Sequence, residues 1–203
     1  YANIDEFDAT RYTLEYDKLP VMDKWLLSRL NSTVKAVDET LGAYKIPETA
    51  RALQDFVDEM SNWYVRRCRD RFWAKGMEQD KINAYMTLYT ALVTICKTAA
   101  PMIPFMTEEI YRNLVCSLDP QAEESVHLCD FPEVCEDMID KKLEEDMEVV
   151  LDAVVIGRAC RNTANIKNRQ PIGKMFVKTE ASLDQFYLDI IKDELNVKEA
   201  ELT

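Results

Sequence analysis

Leu27, Leu30, Val34, Val37, Leu41 and Tyr44 step by three and four residues, the spacing that lays side chains along one face of a helix. That period excludes a strand and predicts a first helix, with Gly42 near its end and Pro47 opening a second, where a fixed φ and a missing N–H do no harm. The second helix carries Leu53, Val57, Met60 and Tyr64 on one stripe and is predicted to run to about Trp73, with Lys75 and Gly76 ending it. A third opens near Asp80 and turns Tyr85, Leu88, Leu92, Ile95 and Ala99 inward until Pro101 and Pro104 stop it. Thr107 is expected to cap a shorter fourth helix through Ile110, Tyr111 and Leu114. The Asp119–Pro120 loop then leads to an alternating stretch from Ser125 to Leu128. The fifth and longest helix is expected from about Asp140 to Ile166.

The pattern changes after Pro171. Lys174 to Thr179 reads as a strand, Leu183 to Leu195 as an amphipathic helix and Val197 to Leu202 as a second strand. Short loops between long helices favour antiparallel neighbours. The expected fold is therefore mainly α: an antiparallel helical bundle over residues 20–167, preceded by an acidic, extended linker at 1–19 and followed by a small β-α-β annex at 168–203.

Composition removes several functions. Only 4 of the 203 residues are glycine, far below the usual share of roughly 7%, and none are near enough to one another to build a phosphate-cradling loop. Six cysteines contain no C-x-x-C pair, and there is no signal peptide and no run of some 18 apolar residues, so a reducing cytoplasm and no membrane partner are expected. The chain opens at Tyr1 without a methionine and stops soon after a strand, and reads as a piece of something longer. His127 is the sole histidine, and no G-x-S-x-G accompanies it to support a serine triad. With Cys129 and Cys135 it matches no common zinc spacing. No catalytic residue and no metal site are therefore expected.

Charge is the informative quantity. The net charge is −12, yet the segment Arg158 to Lys178 holds six cationic side chains and no acid. Strong overall repulsion opposes indiscriminate binding of a polyanion, but a local strip still docks phosphates at short range, because exposed charges are screened beyond about 8 Å. The apolar stripe Met147, Leu151, Val154 continues into Arg158, Arg161 and Asn165, so the fifth helix is expected to leave the core with a cationic face. The alternative is that Arg158 and Arg161 pair with carboxylates of a neighbouring helix. The acidic run from Glu133 to Glu148 reads as a solvated helix face.

A second cluster, Asn62 to Trp73, packs four arginines and four aromatics into twelve residues. Helical spacing puts Asn62, Arg66, Arg69 and Trp73 on one stripe, while Tyr64, Arg67 and Arg71 prolong the core stripe. Guanidinium groups and aromatic faces suit single-stranded RNA, whose splayed bases stack and whose phosphates and base edges arginine bridges. The competing reading is packing for Trp63 and Tyr64 and an Arg66–Asp70 pair at i, i+4.

Several stretches, in order, resemble the isoleucyl-tRNA synthetase family: D-K-W-L-L-S-R-L at 23–30, the 62–73 segment, A-P-M-I-P-F-M-T-E-E-I-Y at 100–111, E-S-V-H-L at 124–128 and R-A-C-R-N-T-A-N-I-K-N-R-Q-P at 158–171. The opening Tyr1-Ala2-Asn3-Ile4-Asp5 is similar to that family's exit from its catalytic domain. The first motif is shared with valine and leucine relatives; N-W-Y-V-R-R-C-R-D-R-F-W with E-S-V-H-L and K-N-R-Q-P points to the isoleucine branch. The resemblance implies a class I aminoacyl-tRNA synthetase that activates isoleucine with ATP and magnesium and esterifies it to its tRNA. This chain would be the helical anticodon-binding region, and its partners would be isoleucine tRNA and the enzyme's own catalytic and editing domains. The family's H-I-G-H and K-M-S-K-S motifs are absent here, so the chain alone is expected neither to form the adenylate nor to edit, and to hold no cofactor. Carried over by position, Asn62, Arg66, Arg69 and Trp73 become candidate anticodon-loop contacts, and Arg158, Arg161, Lys167 and Arg169 candidate backbone contacts. The same region of a valyl or leucyl enzyme, and a helical scaffold that binds proteins through its acidic helix, remain the alternatives.

Overall fold

The computed structural model describes residues 2–203; Tyr1, the first residue of the expected domain exit, lies outside them. The chain forms two compact units, Tyr1–Ile139 and Asp140–Thr203.

In the first unit, α1 (Val21–Gly42) and α2 (Ile46–Glu59) run antiparallel: the Thr49 hydroxyl donates to Thr40 Oγ1 at 2.8 Å near the turn, and Arg29 reaches Glu59 at the other end. The α1 stripe buries Trp25, Leu26, Leu27, Leu30, Val34 and Val37, at roughly 1.5–3 kcal/mol for each large side chain removed from water. It stops at Val37. The helix ends at Gly42, and Tyr44 sits beyond it in a left-handed turn, 88% exposed. On α2 the buried positions are Thr49, Leu53 and Phe56, whereas Val57, expected inward, is exposed.

The expected unbroken helix to Trp73 is interrupted. After Glu59 the backbone is π-helical over Met60–Val65, breaks at Cys68 (φ −83°, ψ 8°) and resumes as α3 (Arg69–Trp73). Next come α4 (Gln79–Ala99) and α5 (Pro104–Tyr111), the latter extended by a second π-helical piece, Arg112–Cys116. Proline, not Thr107, opens α5; the buried Thr107 hydroxyl donates back to Ile103 O at 3.0 Å. The alternating stretch is a 3-10 turn, Val126–Leu128, held to α5 because Glu108 accepts from Ser125 Oγ (2.8 Å) and Val126 N (2.9 Å). Residues 2–19, expected to run extended, instead pack on the bundle. Ala9 and Leu19 are buried, Phe7 stacks on Tyr85 of α4 with centroids 4.8 Å apart, and Asp5 accepts from Lys81 Nζ and Tyr85 OH, each at 2.6 Å.

The second unit begins where Asp140 caps α6 (Lys141–Thr163) by accepting from Leu143 N. β1 (Ile172–Val177), α7 (Gln185–Leu195) and β2 (Val197–Leu202) follow, with β1 and β2 parallel and Lys174 opposite Glu199. The boundary expected at 167 thus falls at 139: α6 packs on α7 and belongs with the annex. That contact is close. A Cβ on Gly157 would overlap Leu195 Cδ1, so the helices meet where α6 has no side chain. Glu144 and Asp146 are buried beside Lys141 and Lys142, so the acidic run is not wholly a solvated face.

Candidate nucleic-acid interface

In the first unit, Asn62, Arg66, Arg69 and Trp73 are all exposed, Trp73 by 51%, while Tyr64 is fully buried and Arg67 and Arg71 are half-buried. The aromatics and guanidiniums are layered. Arg69 lies 5.3 Å over the Trp73 ring, and Arg66 and Arg67 lie 5.6 and 5.7 Å from that of Trp63. Cation–π contacts of this kind set a guanidinium against the face of a ring. Arg66 Nε donates to Asn62 O at 3.0 Å, and Asn62 Nδ2 reaches Asp58 Oδ1 at 3.5 Å.

Behind this surface Arg71 is braced. Its Nη1 and Nη2 donate to Asp23 at 2.6 and 2.8 Å and its Nε to Asp80 at 2.9 Å, and the Tyr64 hydroxyl donates to the same Asp23 at 2.7 Å. Burial opposes the charge on Arg71, but its bonds to Asp23 and Asp80 outweigh that and hold it protonated well beyond the usual arginine range. Burial, followed by the Asp23 charge, pushes the Tyr64 phenol up, so it stays a donor. The sequence placed Arg71 on the core side but gave no partner. The signal available was Asp23, an acid in the first turn of an otherwise apolar helix stripe.

A cavity of about 490 Å³ opens beside Arg69 and Trp73, with Phe7, Val65, Tyr89, Leu92 and Asn113 among its walls. Its lining is mostly apolar with a few polar side chains, the composition of a small-ligand pocket. Sequence reading missed it because Phe7 comes from the presumed linker.

The second candidate group is in the other unit, and the structure divides it. Arg161 is 3% exposed: Nη1 donates to Leu195 O at 3.0 Å and Nη2 to Lys167 O at 2.6 Å and to Gln170 O. It is therefore an internal tie, not an outward contact, because α7 covers the end of α6 that was expected to emerge. Arg158 is half-buried and donates to Glu194 at 2.6 Å, the neighbouring-helix pairing that charge alone had left open. Lys167 and Arg169 are exposed on the loop that Arg161 holds from within. Lys174 pairs across the sheet with Glu201 at 2.5 Å.

His127 is exposed, and Cys129 donates to Tyr111 OH at 3.2 Å. Among the described residues no group of three His, Cys, Asp or Glu side chains is placed to hold a metal ion, and no helix is long and apolar enough to cross a membrane.

A family model described as the anticodon-binding domain of tRNA ligase matches residues 23–178. The chain is 54% identical over 201 residues to an isoleucine–tRNA ligase of Clostridium novyi and 53% identical over 201 residues to one of Clostridium acetobutylicum, each match covering 99% of this chain and 19% of the relative. An isoleucine–tRNA ligase 2 of Bacillus cereus is 45% identical over 202 residues, covering 98% and 19%. The chain spans about a fifth of the length of these curated relatives.

Proposed function

This chain belongs to the anticodon-binding domain family of tRNA ligases, and from that membership we propose that it grips the anticodon stem-loop of isoleucine tRNA on behalf of a cytoplasmic isoleucine–tRNA ligase. The observation that carries the reading is the exposed layer of Arg66, Arg69 and Trp73 on a protein whose net charge is −12. Such a surface is selective. Long-range repulsion disfavours chance contact with polyanions, while an aromatic face and flat guanidiniums take unstacked bases and phosphates at short range. The cavity beside Trp73 has room for one flat base. Lys167 and Arg169 supply sequence-independent phosphate contacts from the second unit, whereas Arg158 is engaged by Glu194. Adenylate formation with ATP and magnesium, and esterification and editing, fall to catalytic and editing domains outside these residues, a reading supported by the chain's spanning about a fifth of its relatives and lacking H-I-G-H and K-M-S-K-S.

A mobility-shift titration with an isoleucine tRNA transcript, with and without its anticodon changed, tests this. Binding that weakens when the anticodon is changed, and that falls steeply with salt, is expected. Equal binding of both transcripts, or none at low salt, overturns the reading. Lys167→Ala with Arg169→Ala is expected to flatten the salt slope by about two counterions, close to 0.9 per phosphate. Competition with valine and leucine tRNAs separates the isoleucine reading from its two relatives.

A further inference from the structure

We propose that Asp23 and Arg29 of α1 are positioning residues that staple the π-helical segment Met60–Val65 at its two ends and so set the direction in which Arg66, Arg69 and Trp73 meet RNA. The proposal rests on the RNA-contact reading above.

The geometry is specific. Arg29 makes a fork-to-fork pair with Glu59, Nε to Oε2 at 2.8 Å and Nη2 to Oε1 at 3.0 Å, and Glu59 is the last residue of α2 before the π segment. Six residues earlier on α1, Asp23 receives the Tyr64 hydroxyl, from inside the segment, and both terminal nitrogens of Arg71 beyond it. Arg71 then passes the restraint to α4 through the side chain of Asp80 (2.9 Å) and its carbonyl oxygen (3.0 Å). Bidentate arginine–carboxylate pairs fix orientation as well as distance, and two on one rigid rod define both position and rotation.

The segment needs such a restraint. π-helical backbone is rare and short because its hydrogen-bond ring is less favourable than the α ring. One residue more or fewer in a helical stretch turns everything after it by about 100°. A segment free to relax to α would therefore swing Arg66, Arg69 and Trp73 round relative to the bundle. Asp23 is fully buried, and a buried ion pair is weak evidence of stabilisation, since an apolar substitute of similar shape often does as well. What the pair supplies here is a single permitted geometry. The apolar members of the same motif, Trp25, Leu26, Leu27 and Leu30, fill the core, so D-K-W-L-L-S-R-L is at once packing face and template.

The experiment measures isoleucine tRNA transcript affinity of the 203-residue chain carrying Asp23→Asn, Arg71→Lys or Arg29→Lys, each alone and combined with Trp73→Ala, below the thermal midpoint of every variant. Arg71→Lys and Arg29→Lys keep the net charge, so long-range electrostatics stay constant. Each single variant is expected to bind about tenfold more weakly, and each double variant no more weakly than Trp73→Ala alone, the non-additivity of residues acting through one another. Wild-type affinity in the folded variants, or losses that add in full to that of Trp73→Ala, overturns the positioning role while leaving the RNA-contact reading standing. Wild-type affinity of Trp73→Ala itself overturns both. Should Asp23→Asn not fold, Tyr64→Phe removes one bond to Asp23 alone and carries the same test, with an expected loss of about fivefold.

Discussion

Arg161 donates to the carbonyl oxygen of Leu195 at 3.0 Å and, through its other terminal nitrogen, to two carbonyls of the loop that follows its own helix. One buried cation thus ties the end of α7 to the loop carrying Lys167 and Arg169. Replacing it with alanine takes the donor from the carbonyl of buried Leu195, at about 1–3 kcal/mol for a buried group left unsatisfied, and from those of exposed Lys167 and Gln170, where water enters and the cost is less. Arg161→Ala is expected to destabilise the second unit by about 3 kcal/mol in denaturant titration. Arg161→Lys, with a charge but no fork, is expected to recover less than half. Full recovery by lysine would show that charge alone matters there.

At Gly157 the cause is space. The ideal Cβ position overlaps Leu195 Cδ1, and Leu195 is itself 2% exposed, with little room to retreat. Gly157→Ala gains helix propensity of about 1 kcal/mol and loses about 1–3 kcal/mol to overpacking. The net expectation is lower stability, read as a lower thermal midpoint. The same substitution at Gly42, the last residue of α1, where nothing lies within 4 Å, is expected to raise the midpoint slightly, since the propensity gain meets no overpacking.

Much of the architecture was readable because it rests on period and caps. The α1 stripe from Leu27 to Val37, the start of α6 near Asp140 and the bounds of β2 follow from spacing and composition. Periodicity does not say which partner a stripe meets, so Met147 and Val154 assigned α6 to the bundle when it packs on α7. Nor does charge say which way a side chain turns. Arg161 and Arg169 belong to the same acid-free cationic segment, yet Arg161 is buried against the end of α7 and the following loop while Arg169 is exposed. The π segment was hidden by spacings of four, three and four from Leu53 to Tyr64, which mimic an unbroken helix.

The six cysteines are all free, in three classes of exposure: Cys135 and Cys160 exposed, Cys116 and Cys129 half-buried, Cys68 and Cys96 buried. Thiolate is the reactive form. Burial pushes the Cys96 thiol up to about 11 and also raises that of Cys68, where Arg71 opposes it. Titration with a chromogenic disulfide at pH 8 is expected to show two fast thiols, two slower ones and two that react only on unfolding. Four fast thiols would mean that the Tyr111–Cys129 region opens readily.

Acid is expected to loosen the molecule through Glu108. Its carboxylate accepts from Ser125 Oγ, Val126 N and, at 2.6 Å, Arg112 Nε. The Ser125 bond first, with Val126 and Arg112 behind it, holds the group below the usual carboxylate range against a smaller cost of burial. A carboxylate with a lowered folded pKa stabilises the fold above its unfolded pKa, and that contribution fades as pH falls through the folded value. Asp5, lowered by its bonds to Lys81 and Tyr85, adds to the trend in the same direction. The thermal midpoint is therefore expected to be flat near neutrality and to fall below about pH 4, the ordinary carboxylate range. Glu108→Gln is expected to lower the midpoint at pH 7, and its deficit against wild type to shrink with acidification as wild type loses the same contribution. A deficit that stays constant down to pH 3 would mean that the hydrogen bonds to the 125–128 turn do not depend on the charge.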